Sequence, residues 1–173
     1  PTHWIERTNR SMTDAAMGSL TGLWFHTWRR AKPSDHDAGT AIIVDGRVAT
    51  RQGEVVDQVA PLIYLVRYYD FANGAPELGM RPVHVCDMDR WTFYPNPVAM
   101  RVAAGCASVD ARNRRCGRPA DFIAPPGVAL CAACAPTHTT RLYPVIVDAS
   151  GGVTVGDQVQ RIDSDDTDLV MDE

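Results

Sequence analysis

Short β-prone segments with frequent turn signals dominate the first half of the chain. In residues 23–28 one face carries Trp24, His26 and Trp28, and this alternation with a period of two is typical of a strand. The dipeptide Asp45-Gly46 separates two further β-prone runs and predicts a type I′ hairpin. Later runs rich in Val, Ile, Tyr and Phe are again short and end at Gly, Pro or Asn. The pattern therefore predicts five or six short strands within residues 20–95.

One of these segments leaves its element type open. Pro61 precedes an apolar run over residues 62–69, and a proline can occupy the first position of a helix. We favour a strand because Ile, Val and Tyr dominate the run and because it is short. Tyr68 and Tyr69 would point to opposite faces of that strand, so at least one of the two rings should lie outside the core. Most other aromatic rings are expected in the core, although such rings can also stack on nucleic-acid bases.

The second half predicts two more hairpins and an acidic end. β-prone runs flank the turn residues 125–127 and again the Gly-containing stretch 149–152. Residues 163–173 hold six acidic side chains and no basic one, which predicts a flexible acidic tail. The resulting division is an N-terminal arm, a strand-rich domain, a cysteine-containing module and the tail, with the boundaries 1–19, 20–97, 98–162 and 163–173.

Composition indicates the kind of protein and the cellular compartment. With 45% hydrophobic residues the 173-residue chain can bury a core, while the lack of an 18-residue apolar run argues against a membrane span. No secretory signal is visible, and an odd number of cysteines, five, favours a reducing compartment. Cytoplasmic localisation is therefore expected. The bias of 16 Arg against one Lys is typical of a GC-rich genome, such as that of an actinobacterium or its phage, which adds the host cytoplasm or a virion as settings.

Four of the five cysteines lie close together in sequence and predict a structural Zn²⁺ site; they are Cys106, Cys116, Cys131 and Cys134. The last two form a C-x2-C pair, which can supply two vertices of a tetrahedron from one turn. The first two are separated by nine residues, a spacing that suits a returning hairpin, and Gly117 permits a tight backbone there. His138 is an alternate ligand in place of Cys106. Unused thiols and an iron–sulfur cluster remain alternatives.

Two known kinds of module resemble these segments. The first strand Leu23-Trp-Phe-His-Thr-Trp28, the run Tyr64-Leu-Val-Arg-Tyr-Tyr69 and the closing Asp87-Met-x-x-Trp-x-Phe-Tyr94 are similar to small bacterial SH3-like barrels. The sequences Cys116-Gly-Arg-Pro-Ala and Leu130-Cys-x-x-Cys134 resemble zinc-ribbon and zinc-knuckle modules, in which the first pair is usually spaced by two to four residues. The resemblance implies a mostly β protein with an SH3-like barrel followed by a zinc-ribbon-like module. Because SH3-like barrels bind nucleic acids, peptides and assemblies alike, it implies no single function.

Four arginines lie in and just after the loop that joins the first two cysteines. Asp110 is the only acidic residue from Cys106 to Arg118, which leaves that segment with a charge of +3. Guanidinium groups bind phosphates through charge-assisted, bidentate hydrogen bonds. We therefore predict that this loop binds nucleic acid or an acidic partner, the alternative being a solvated loop; the residues concerned are Arg112, Arg114, Arg115 and Arg118.

Positive signs of catalysis are absent from the sequence. It contains no P-loop, no G-x-G-x-x-G, no G-x-S-x-G and no H-E-x-x-H. His84 and Cys86 share one face of a predicted strand, which leaves a thiol-dependent enzyme as a minor alternative to a core thiol. We expect a non-enzymatic binding or adaptor protein with nucleic acid as its leading ligand. The alternative is a structural component of a protein–protein assembly, such as a phage-encoded one.

Overall fold

The structure is a computed structural model that describes residues 19–125, 127–138 and 141–159. The predicted acidic tail and all but the last residue of the predicted N-terminal arm lie outside the described residues. The mostly β fold is confirmed, since two antiparallel sheets account for most of the regular structure. Among the described residues no helix has the length and apolar character needed to cross a membrane.

The first sheet contains six strands from the first half of the chain. Five of them pair in the order β5-β4-β3-β1-β6, and β2 pairs with the beginning of β3. All the pairings are antiparallel. The strands are β1 (Trp24–Arg30), β2 (Ile43–Val44), β3 (Arg47–Ala60), β4 (Ile63–Tyr69), β5 (Arg81–His84) and β6 (Thr92–Tyr94).

Strand β3 is the long central element of this sheet, with 14 residues. It pairs with β1 on one side and with β4 on the other, and the register shifts within both ladders. Gly53 lies at the closest approach, because a Cβ at this position would overlap the carbonyl oxygen of Arg67 and the ring of Phe25. The run after Pro61 is a strand, as predicted, and its partner β3 reaches it through a tight turn.

The core of the first sheet is rich in aromatic side chains. Phe25 is completely buried and stacks on Trp91 at a centroid distance of 4.4 Å. Met88 is also completely buried and is contributed by a 3₁₀ helix, Val85–Met88, that connects β5 to β6. The remaining members of the cluster are Leu20, Val55, Tyr64, Val66 and Phe93.

The expected closed SH3-like barrel is not formed. Among the described residues the hydrogen-bonded path ends at β5 on one side and at β6 on the other, and these two strands do not pair. The chain between them forms the 3₁₀ helix, which places Met88 in the core. The side chain of Met88 therefore fills the core at the place where a closed barrel would need hydrogen bonds between β5 and β6.

A helix that the sequence analysis did not predict follows the first sheet. Helix α2 (Pro97–Ala104) comes after the short helix α1 (Pro33–His36), which lies between β1 and β2. Asn96 caps α2 by accepting a hydrogen bond from the Ala99 N–H at 2.8 Å, and proline occupies the first helical turn. Met100 of this helix packs in a cluster with Tyr94 and Val153, so α2 contacts strands of both sheets.

The second sheet has four strands in the order β10-β9-β7-β8 and confirms both predicted hairpins. Its strands are β7 (Phe122–Ala124), β8 (Val128–Leu130), β9 (Tyr143–Val147) and β10 (Val153–Val155). A one-turn helix, α3 (Ala135–His138), lies between β8 and β9. Leu130 is completely buried and packs with Leu142 and with the cysteine side chains. The cysteine region therefore shares a core with this sheet.

Candidate metal centre

The structure brings together four cysteine side chains and leaves the fifth apart. The sulfur atoms of the four all lie within 4.8 Å of one another; these are Cys106, Cys116, Cys131 and Cys134. None of them is in a disulfide. Two of the four side chains are buried and two are half-buried. The group is the one that the sequence spacing predicts, and it can bind a metal ion.

The distances fit a single ion held by four thiolates. A tetrahedral ion with bonds of about 2.3 Å to sulfur places its ligand atoms about 3.8 Å apart. The Sγ atoms of Cys116 and Cys131 are 3.9 Å apart. An iron–sulfur cluster inserts several iron and sulfide atoms between the thiolates and so requires a wider separation. The geometry therefore favours a mononuclear site with no ligand position left open.

Backbone hydrogen bonds hold the two halves of the centre. The Cys106 N–H donates to the Arg118 carbonyl at 2.7 Å, and the Gly117 N–H donates to the Cys106 carbonyl at 3.0 Å. Gly105, with φ of 80°, makes this approach possible because a Cβ there would lie 2.7 Å from the Gly117 oxygen. On the other side Cys131 follows β8 directly, and its carbonyl accepts from the Cys134 N–H at 3.2 Å.

The thiols of Cys106, Cys131 and Cys134 differ in their tendency to ionise. Burial raises the pKa of Cys106 to about 12. Burial also opposes ionisation of Cys131, but N–H groups of Cys134 and Ala133 and neighbouring thiols donate to its sulfur and lower its pKa to about 7. The hydrogen bond with Cys131 raises the pKa of Cys134. The arrangement therefore favours the thiolate form of Cys131 over that of Cys106.

His138, the predicted alternate ligand, lies beside the centre and is not one of the four converging ligands. Its Nε2 is 2.9 Å from the hydroxyl of Ser108, which is buried and has a side-chain interaction with Cys134 that lowers the pKa of this thiol. Groups that orient the ligands of a metal in this way tune its affinity. The sequence analysis missed Ser108, and its position two residues after Cys106 is the only sequence signal for it.

The four predicted arginines do not form one surface. Asp110 organises the turn by accepting from the N–H groups of Arg112 and Arg114, and these hydrogen bonds contribute to the lowered pKa of its carboxyl group. Arg114 also forms an ion pair with Asp110 at 3.1 Å. Arg112 and Arg118 are exposed and have no ion pair with any described carboxylate. Two of the four arginines are therefore free to meet an anion.

Arg115 points inward. Its Nη2 donates to the Gly105 carbonyl at 2.9 Å and its Nε to the Cys106 carbonyl at 3.2 Å. Burial lowers the pKa of Arg115, while the charges of Cys106 and Cys116 raise it. Its backbone N–H donates to the Gly39 carbonyl, in the connection between β1 and β2. Arg115 therefore attaches the arginine loop to the metal centre and to the first sheet.

His84 and Cys86 do not share a strand face, and the predicted core thiol at Cys86 is wrong, because this side chain lies in the exposed 3₁₀ connection after β5. Cys86 is exposed, at the start of the 3₁₀ helix, and its thiol lies 3.9 Å from an oxygen of Asp87. The His84 ring accepts a hydrogen bond from the Cys86 backbone N–H at 3.1 Å, which fixes the ring as a helix cap. The structure thus gives His84 a structural role toward this cysteine.

Comparison of the chain with protein-family models, with curated proteins and with solved structures finds no match in any of the three. The class that the fold and the site define is a mostly β protein with two antiparallel sheets and a cluster of four cysteines that can bind a metal ion.

Proposed function

We propose that this protein is a non-enzymatic, zinc-stabilised module that binds nucleic acid through arginines in and just after the loop between Cys106 and Cys116. Zinc is proposed because it is the common ion for four thiolates in a closed tetrahedral site. Such a site leaves no coordination position for a substrate, so the ion has a structural role.

The observation that carries the proposal is that the arginine loop is built on the metal ligands. The loop begins at Cys106 and ends at Cys116, and backbone hydrogen bonds join its two ends. Arg112 in the loop and Arg118, two residues after it, are exposed and have no carboxylate partner among the described residues. Binding of the ion therefore fixes the positions from which two guanidinium groups meet phosphates.

The test is fluorescence anisotropy of labelled DNA and RNA at several salt concentrations, with the zinc-loaded protein. Phosphate contacts make binding fall steeply with salt. We expect the double variant Arg112→Ala/Arg118→Ala to bind more weakly and to lower the salt slope by about one for each phosphate that it no longer neutralises. Arg90→Ala removes an exposed arginine from the turn before β6 and serves as the matched control. An absence of binding at low salt, with and without residues 163–173, would refute the proposal.

A role in protein–protein assembly is the second candidate, and the hairpin of β9 and β10 favours it. Ile146, Val147 and Val155 are exposed apolar side chains on this hairpin, and β10 is the last strand of its sheet. This role predicts a discrete oligomer or a co-purifying partner in size-exclusion chromatography, and Val147→Glu should disrupt it. A protein that stays monomeric and purifies without a partner would argue against it.

A further inference from the structure

We propose that the cleft between the first sheet and the cysteine module binds one unpaired base of a single-stranded nucleic acid. The cleft has a volume of about 240 Å³ and is lined from one side by Trp24, Tyr69 and Phe71, and from the other by Arg101, Arg115 and the beginning of β8. That the ligand is a nucleic acid rests on the proposed function. What is new is the place where it binds, the cleft, and its form, a single strand.

The aromatic side of the cleft suits a flat ring. Trp24 and Tyr69 are only partly buried, in contrast to the fully packed Phe25, and their ring centroids are 5.0 Å apart. Phe71 remains 43% exposed at the mouth. Bases stack on such side chains with little dependence on sequence, because every base presents an aromatic face.

The charge of the cleft selects an anion. Among the described residues that line it there are two arginines and no carboxylate. Arg101 has no ion pair with a described carboxylate, and it lies against Gly127, where a Cβ would overlap its guanidinium group. Other arginines of the protein do have carboxylate partners, namely Arg29, Arg51, Arg67, Arg81 and Arg114. The half-buried positive charge of Arg101 is therefore available to a phosphate group.

The size of the cleft limits the ligand to a single base. Sites for drug-sized ligands have volumes of about 300–1,000 Å³, and the cleft, at about 240 Å³, is smaller. A duplex cannot place a base there without unpairing it, which costs a few kcal/mol. A flexible single strand can place one base against the aromatic side of the cleft while its phosphate meets Arg101.

The experiment compares single-stranded DNA, single-stranded RNA and a duplex of the same sequence, using tryptophan fluorescence quenching and anisotropy with the full chain. We expect tighter binding of the single strands than of the duplex. Loss of one stacking partner is worth about 1–3 kcal/mol, or roughly fivefold or more in affinity. Phe71→Ala and Arg101→Gln should each weaken single-strand binding by about that factor. Leu78→Ala, at a fully exposed position, and Arg90→Gln are the matched controls.

The outcomes separate this inference from the proposed function. Equal affinity for single strands and duplex, or unchanged single-strand binding by Phe71→Ala and Arg101→Gln, overturns the base site. The proposed function survives that result if Arg112→Ala/Arg118→Ala still weakens binding. Absence of binding to every nucleic acid overturns both. A preference for DNA or for RNA among the single strands supports the base site and identifies the sugar that it accepts.

Discussion

Acid should destabilise this fold through His26, the completely buried histidine of β1. Its Nδ1 lies 2.9 Å from the hydroxyl of Tyr94, and its Nε2 has no hydrogen-bond partner of normal geometry among the described residues. Burial lowers the pKa of His26 from 6.5 to about 3, the charge of Arg115 adds to this effect, and the Gln52 side chain opposes it. The ring is therefore neutral in the folded protein at mildly acidic pH.

The size of the loss in the free energy of unfolding follows from the linkage between folding and proton binding. The unfolded chain binds a proton at this histidine below pH 6.5, whereas the folded protein does so only near pH 3. The free energy of unfolding is therefore highest above pH 6.5 with respect to this group and falls as the pH decreases toward 3. Each pH unit in this window removes about 1.4 kcal/mol, which gives a loss of about 2 kcal/mol between pH 7 and pH 5.

Urea unfolding at pH 7 and pH 5, followed by tryptophan fluorescence, measures this loss. The variant His26→Asn keeps a polar group near the Tyr94 hydroxyl and removes the titration. Its pH dependence should be shallower than that of the wild type by about 2 kcal/mol over this range. His36→Asn changes an exposed histidine and controls for the substitution. Because the thiols and carboxyl groups titrate in all three proteins, their effects cancel in the comparison, and parallel curves would refute the reasoning.

Three further substitutions test the metal centre, the long strand and the second helix. Cys131→Ser should lower the metal content measured by mass spectrometry and remove most of the metal-dependent stability, about 4 kcal/mol at a thousandfold excess over Kd. Gly53→Ala should destabilise the protein by about 1–3 kcal/mol or more in urea unfolding, because its methyl group overlaps the Arg67 carbonyl. Asn96→Ala should cost about 1 kcal/mol in thermal unfolding through loss of the helix cap.

Each of these substitutions has a control and a contradicting result. Cys86→Ser removes the one cysteine outside the centre and should leave the metal content unchanged. Full metal content in Cys131→Ser would contradict the four-thiolate site. Wild-type stability of Gly53→Ala would mean that β3 and β4 are farther apart than the structure has them. Asn96→Asp retains a capping oxygen and should stay close to the wild type, so equal losses in Asn96→Ala and Asn96→Asp would contradict the cap.

Strands and hairpins could be predicted from the sequence because their signals are local. Asp45 and Gly46 both adopt positive φ, 51° and 72°, as the type I′ turn requires. The start of α2 also has a local signal, because Asn96 followed by proline is a known helix start. The helix has only eight residues and was not predicted from the sequence. Closure of the barrel could not be predicted, because it depends on whether the two end strands β5 and β6 pair, and no local sequence signal decides that; in the structure they do not pair.

The grouping of the four cysteines could be predicted because the ligand chemistry and the spacing of a metal site restrict it strongly. The side chains that surround the ligands carry no such restriction. Ser108 is an ordinary residue in sequence and acquires a role only because the fold places it between His138 and Cys134. The proposed site for a base likewise combines Trp24 with Arg101. Most of the first sheet lies between these residues in the sequence, and they line one cleft only because α2 packs against β1.

Arginines that are alike in sequence acquire different roles because a tight turn points neighbouring side chains in different directions. Arg114 turns to Asp110, while Arg115 turns to the carbonyls of Gly105 and Cys106. Four thiolates around one divalent cation leave a net charge of −2, and a buried guanidinium group nearby offsets part of it. Arg115 thus belongs to the metal centre and not to the outward surface of the loop. The number of arginines in the sequence therefore overstates the number of guanidinium groups that can bind a phosphate. The affinity of the protein for nucleic acid should depend on Arg112 and Arg118.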